Sequence, residues 1–466
     1  MDGENQNGGL QRQVGLYSAM ALVVANMVGT GIFTTSGFII AELQEPMMLL
    51  LCWLAGGLFA LCGALCYGEL GARFPRAGGE YVFLRESFGA GIGFLSGWVS
   101  LVVGFSAPIA AAAIAFAAYF RDAAGLAGGL SVSLSVGGVS IAAVTAESLI
   151  AVGVVLALSA LHCKSLTIGS RVQNALTLFK VLLILAFIAA GLASGQGSAQ
   201  HFEGVVRPGA LLGEPFAVSL IFVTFAYSGW NAAAYLGAEI RDPKRAIPAA
   251  LISGTVLVIG LYLMLNLVYI YALPVARMEG VVEVGARAAE ALFGSGIARF
   301  FSGAIAFGLL SVVSAMILAG PRVYYAMAKD GLFFSTFARV DPKAATPTRA
   351  VALQAGIAVF MILTASYDRL LLYIGFTLAL FAMLTVLGLM RLRRRGGPLF
   401  NGYKTLGYPV TPLLFVCGNL WIIYFSIRSR PVPAAAGIAT IVSGLIVYRC
   451  FQKRSRGGAA DRSGPV

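Results

Sequence analysis

The chain holds 466 residues, 59% of them hydrophobic and only 11% charged, and its mean hydropathy is +0.85. Soluble domains carry roughly 25% charged residues, so a chain this apolar cannot hide its surface in one water-soluble core and must use lipid as part of its solvent. The net charge of +13 does not indicate a nucleic-acid partner, because a membrane protein keeps lysine and arginine on its cytoplasmic side.

A bilayer core of about 30 Å needs roughly 20 apolar residues per helix. Twelve runs meet that length: 15–40, 47–71, 90–120, 138–161, 171–194, 213–239, 249–273, 297–328, 349–366, 370–391, 408–427 and 432–450. The pattern predicts an all-α integral membrane protein with 12 transmembrane helices. Residues 1–14 read as a polar cytoplasmic tail, and the first apolar run is too long for a cleaved signal core. Basic residues cluster after alternate runs, as in Arg73, Arg76 and Arg85, then Arg241, Lys244 and Arg245, then Arg391, Arg393, Arg394 and Arg395. That alternation puts both termini in the cytoplasm, with residues 451–466 as a disordered basic tail. Cys52, Cys62, Cys66, Cys163, Cys417 and Cys450 show no metal-ligand spacing and read as small buried hydrophobes.

The first run is interrupted midway by Asn26-Met27-Val28-Gly29-Thr30-Gly31-Ile32-Phe33. Each glycine costs about 1 kcal/mol of helix stability against alanine. Alone, this could be a small-residue packing face. The sixth run carries a second interruption, Phe225-Ala226-Tyr227-Ser228-Gly229-Trp230-Asn231. The two open corresponding five-helix blocks, 15–194 and 213–391, each with an odd number of spans, so the second is inverted relative to the first. Residues 408–450 add helices 11 and 12. Paired broken helices in inverted blocks point to a transporter's substrate site, and the second interruption tips the reading away from packing.

Breaking a helix frees N–H groups at the start of one half and C=O groups at the end of the other. The first suits a carboxylate, the second an ammonium. Candidate donors are the backbones of Thr30 and Gly31, with the Thr30 hydroxyl and Gly29 beside them. Candidate acceptors are the carbonyls of Met27 and Phe225 and the region of Ser228. The Phe225 ring reads equally as a gate or as a core aromatic. Lys180 lies within the fifth run, about 13 Å along a helix from Arg171, and an intramembrane cation is a functional hypothesis by default. Its natural partners are the orphan carbonyls ending the first half of helix 1. It reads either as a fixed brace for the break, the preferred role, or as a proton carrier.

Glu69 and Glu80 stand near Arg73, Arg76 and Arg85 and read as a structural ion-pair network. Glu147 reads as near the outer surface and Glu239 as the inner end of the sixth run. None is positioned to meet a cationic side chain at the break, which favours a neutral substrate. His162 and His201 are the only histidines, which leaves little for a hydrolase triad or a zinc enzyme. No metal or cofactor is expected.

These residues together resemble the amino acid–polyamine–organocation superfamily, and most of all the L-type amino acid transporters. The resemblance is carried by Gly29-Thr30-Gly31-Ile32-Phe33, by Tyr67-Gly68-Glu69-Leu70 with Phe74-Pro75-Arg76-Ala77-Gly78-Gly79-Glu80-Tyr81, and by Arg171-Val172-Gln173 with Lys180. Phe225 to Asn231, then Glu239, Asp242-Pro243, Arg245 and Ile247-Pro248, and Arg322 through Asp330-Gly331 continue it. It implies a LeuT-type five-plus-five inverted repeat with broken helices 1 and 6, and sodium-independent amino acid transport by alternating access, usually exchange. It implies that Thr30, Gly31, Phe225 and Asn231 contact substrate while Lys180 bridges helices 5 and 1. Two positions depart from the pattern: Ser36 stands where proline is frequent, and Ser228 where glycine is common, which suggests a tighter pocket. The loop from Arg121 to Gly138 lacks the cysteine that joins animal members to a heavy chain, so no disulfide-linked partner is expected. The reading is a plasma-membrane (inner-membrane) carrier for neutral L-amino acids. The alternatives are a proton symporter using Lys180 and a non-transporting amino acid sensor.

Overall fold

The computed structural model describes residues 10–126, 131–136, 139–204, 206, 208–281, 283–364, 367–395, 400–429 and 431–460. The first run forms two helices, α1 (Leu16–Met27) and α2 (Gly31–Leu43), bent by 41° across the Val28–Thr30 break. α3 (Pro46–Arg73) begins with proline in its first turn, where the missing N–H has no helical partner to lose. A turn at Gly78–Gly79 leads into the short α4 (Glu80–Phe88). α5 (Ala90–Val99) passes through a wide turn at Ser100–Ser106 into α6 (Ala107–Ala124), making one long span.

A hairpin follows, β1 (Ser131–Val136) paired antiparallel with β2 (Val139–Thr145). The chain is otherwise helical, and the helix of the fourth run begins only after this hairpin, not at residue 138. Alternating Ser and Val suit a strand, and α7 (Ala146–Lys164) starts only where Thr145 and Ser148 form a reciprocal cap. α8 (Leu166–Ala193) matches the fifth run. The sixth is helical in two pieces only, α9 (Glu214–Ala226) and the single turn α10 (Ala232–Tyr235).

α11 (Pro243–Ala272) is followed by α12 (Val275–Met278), α13 (Val284–Phe293), α14 (Ser295–Ala319) and α15 (Pro321–Lys329). α16 (Thr348–Thr364), α17 (Tyr367–Arg394), α18 (Val410–Ser429) and α19 (Pro431–Ala460) complete the chain. α19 continues beyond residue 450, where a disordered tail was expected; residues 1–9 and 461–466 lie outside the described residues. Among the described residues, seven helices are long and apolar enough to cross a membrane, or eight with the bent α1–α2 pair counted as one span.

Packing sorts the apolar residues into lipid-facing and inward-facing sets. On α8, Leu178, Leu182 and Leu185 are exposed while Thr177, Lys180, Ile184 and Phe187 are buried. Cys52 and Cys66 are buried, whereas Cys417 is exposed, so it is not the buried hydrophobe its setting suggested. α3 lies along α11 and α6 along α14, with α1 held between α11, α8 and α14. The chain ahead of α1 is stitched to the segment after α10, with Val14 N–H donating to the Glu239 carbonyl (2.8 Å) and Arg241 N–H to that of Val14 (2.9 Å).

Candidate functional site

The α1–α2 break leaves main-chain carbonyls without their helical partners. The Lys180 ammonium reaches across from α8 and donates to the carbonyls of Val28 (2.5 Å) and Ala25 (3.1 Å). Lys180 is 2% exposed, and among the described residues no carboxylate pairs with it. Backbone dipoles alone satisfy this cation. On the far side of the break, α2 begins at Gly31, so its first N–H groups have no intrahelical acceptor.

Tyr262, in the middle of α11, ties the two breaks together. Its hydroxyl lies 2.6 Å from the Met27 carbonyl at the end of α1 and 3.1 Å from the Ala226 carbonyl at the end of α9. A sequence reading passes over this residue. The only signal is a phenol within an apolar helix, where a buried O–H needs a partner. The Met27 carbonyl also accepts from Gly29 N–H (2.8 Å), so both of its lone pairs are engaged here and it is not the open acceptor the sequence suggested. The breaks approach so closely that two glycines are required. A Cβ on Gly31 would lie 2.7 Å from Ala226, and one on Gly229, whose φ is +95°, would lie 2.7 Å from the Asn26 Cβ.

Two adjoining cavities open at this crossing. The smaller, about 40 Å³, is lined by Met27, Gly29, Thr30 and Gly31 together with Phe225 and Ser228. The larger, about 120 Å³, shares Asn26, Phe225 and Ser228 and extends to Asn231, Tyr235 and Glu80. Of the seven positions singled out in the sequence, six line the smaller cavity and Asn231 lines the larger, with Phe225 and Ser228 common to both. Lys180 stands behind the break, bound to its carbonyls.

The acidic residues are arranged differently from the expected network. Glu69 pairs with Arg393 of α17 and accepts from the Thr405 hydroxyl and N–H, both at 2.8 Å. Arg76 contacts Glu86 (3.1 Å), and Arg85 contacts Asp330 (3.0 Å). Glu239 is completely buried and holds Arg322 of α15 in a two-pronged pair, at 2.7 and 2.8 Å. Glu80 has no arginine partner among the described residues. It is 5% exposed and its Oε1 accepts from the Tyr67 hydroxyl (2.6 Å) and Asn231 Nδ2 (2.9 Å). Burial pushes its carboxyl up to about 7, against hydrogen bonds from Tyr67, Asn231 and Tyr235 that act the other way. The cause of the misreading is local. The turn before α4 docks on the sixth run, with Gly78 N–H donating to the Tyr235 carbonyl (3.0 Å), and this swings Glu80 away from its arginine neighbours and into the protein.

Residues 14–449 match a family model described as amino acid permease. The chain is 28% identical to the serine/threonine exchanger SteT of Bacillus subtilis (strain 168), over 96% of this chain and 99% of that protein. It is also 28% identical to the b(0,+)-type amino acid transporter 1 of Mus musculus, over 98% of this chain and 91% of that protein. Identity to the mouse large neutral amino acids transporter small subunit 2 is 27%, over 96% of this chain and 83% of that protein.

Proposed function

The chain belongs to the amino acid permease family, and from that premise we propose that it exchanges neutral L-amino acids across the cell membrane by alternating access, without sodium. Membership makes it a membrane transporter rather than an enzyme. The observation that carries the finer reading is the meeting of two interrupted spans at two adjoining cavities, with Lys180 on the carbonyls behind the first. The N–H groups opening α2 at Gly31, with Thr30 beside them, receive the substrate carboxylate. The Phe225 carbonyl and the polar turn at Ser228 face the substrate ammonium, and Asn231 meets its side chain. Lys180 sits on carbonyls that a sodium ion would otherwise coordinate at such a break, and this supports sodium independence.

The five-plus-five reading of residues 15–194 and 213–391, the count of twelve spans and cytoplasmic termini complete the proposal. The run of basic residues after alternate apolar segments supports it. The absence of cysteine from residues 121–138 supports a carrier that works without a disulfide-linked partner.

Purified protein in proteoliposomes tests this. Labelled L-serine should enter vesicles preloaded with unlabelled L-serine far faster than empty ones, with or without sodium. Equal uptake into empty vesicles driven by a proton gradient overturns exchange in favour of symport. Saturable binding with no flux in either arm overturns transport.

A further inference from the structure

The larger cavity has polar lining beyond Asn231 to which the transport reading gives no role. Its lining is largely apolar, with Phe59, Phe105, Trp230 and Phe415 among it, and includes the polar cluster Glu80, Asn231 and Tyr235. The hydrogen bonds there run in one direction. Asn231 spends its Nδ2 on Glu80 Oε1 (2.9 Å) and the Tyr235 hydroxyl (3.3 Å). Glu80 Oε1 also takes the Tyr67 proton. This fixes the Asn231 amide with its Oδ1 turned away from the donors, and among the described residues that oxygen receives no hydrogen bond. Asn26, which lines both cavities, likewise spends its Nδ2 on the Leu22 carbonyl (3.0 Å). Among the described residues, the amide oxygens of Asn231 and Asn26 on this cavity are therefore left as acceptors, and Glu80 has no cation paired with it.

We infer that Glu80 is a specificity-determining residue of the substrate cavity, selecting amino acids whose side chain carries a hydrogen-bond donor over isosteric apolar ones and excluding anionic side chains. The inference rests on the transport reading for the location of the substrate. Its physical basis is the asymmetry of buried hydrogen bonds, since a site built to pair with a donor rejects the analogue that leaves its acceptors unpaired. A carboxylate side chain meets a second carboxylate in a medium of low dielectric and is repelled. Glu80 also acts through Asn231, whose amide it orients.

Two isosteric pairs of probes isolate the effect: L-threonine against L-valine, and L-asparagine against L-aspartate. Ligand-induced thermal shifts of the purified protein in detergent measure binding, and proteoliposome exchange measures flux. At pH 8 the wild type should bind threonine at least about tenfold more tightly than valine, the value of one charge-assisted hydrogen bond, and should reject aspartate. In Glu80→Gln, which presents an amide N–H in place of an acceptor, the threonine-to-valine ratio should fall toward one. Aspartate should then compete measurably. Equal binding of threonine and valine by the wild type overturns the inference whether or not the variant folds, as does an unchanged ratio in a folded variant. Selective binding with no flux leaves Glu80 in place and removes the transport reading. Flux with no selectivity does the reverse, and no binding of any probe with no flux removes both.

Discussion

Lys180 and Arg322 are both buried, yet they are held in opposite ways. Arg322 meets a carboxylate, Glu239, through two parallel hydrogen bonds, and both side chains are fully enclosed. The pair is neutral as a unit and joins α15 to the segment between α10 and α11. Lys180 meets only main-chain carbonyls at the α1–α2 break. Among the described residues, it has no carboxylate partner. The first arrangement is suited to holding parts together. The second places a side-chain donor on carbonyls that the break leaves without helical partners. A buried cation is thus structural or functional according to its partner, and the partner comes from a distant part of the chain.

Four measurements sharpen or break that contrast. The largest effect is expected from Glu239→Gln, which strands Arg322 in the interior. Losing one member of a buried pair costs about 3–5 kcal/mol, so thermal unfolding in detergent should begin well below the wild-type temperature. A melting curve that overlays the wild type would show that the pair is not structural. Lys180→Ala removes two charge-assisted hydrogen bonds, each worth about 1.5–3 kcal/mol. Exchange flux should fall by about a hundredfold or more, while the protein stays monodisperse because a costly buried charge has also been removed. Flux near wild type would take Lys180 out of the mechanism.

Tyr262→Phe deprives the ends of α1 and α9 of their shared donor at a cost of about 1 kcal/mol. A roughly fivefold to tenfold drop in flux is expected, with little loss of stability; no drop would mean that the breaks hold without a bridge. The smallest effect concerns Glu80, which faces the Tyr67 and Tyr235 phenols and the Asn231 amide. Its carboxyl is held up near 7 from an ordinary value of 4.5, so it ionises as pH rises through 7. The preference for threonine over valine should therefore grow about twofold to fivefold between pH 6 and pH 8. A flat profile, or one that falls with pH, assigns the selectivity to another group.

Much of this architecture is legible in a linear reading because lipid imposes a simple rule. Unbroken apolar runs become helices, as α3, α8 and α11 do, and the glycine-flanked Thr30 and the Ser228-Gly229 stretch mark the places where helix stops. Lys180 is conspicuous for the same reason, being a charge where hydrocarbon tolerates none. The strand at Val139–Thr145 reads in sequence as the start of a span because its alternating pattern is brief and apolar on average. For Glu69 and Glu80, nearby arginines in sequence suggest partners, whereas the real ones, Arg393 and Tyr67 with Asn231, come from other parts of the chain; the Arg322 that holds Glu239 is equally remote. Tyr262 escaped notice because nothing local separates it from a lipid-facing tyrosine.

Taken alone, the order of residues determined that this chain lives in a bilayer, where its helices run and where two of them fail. Those properties follow from transfer free energy and backbone hydrogen bonding summed over short windows. Only the assembled molecule decided that the two failures meet at adjoining cavities, that a lysine contacts the first and a tyrosine both, and that Glu80 turns inward. The physical reason is that a polar group in a buried setting takes its role from whatever lies within about 3 Å of it, and in this fold those neighbours are often more than a hundred residues away in sequence.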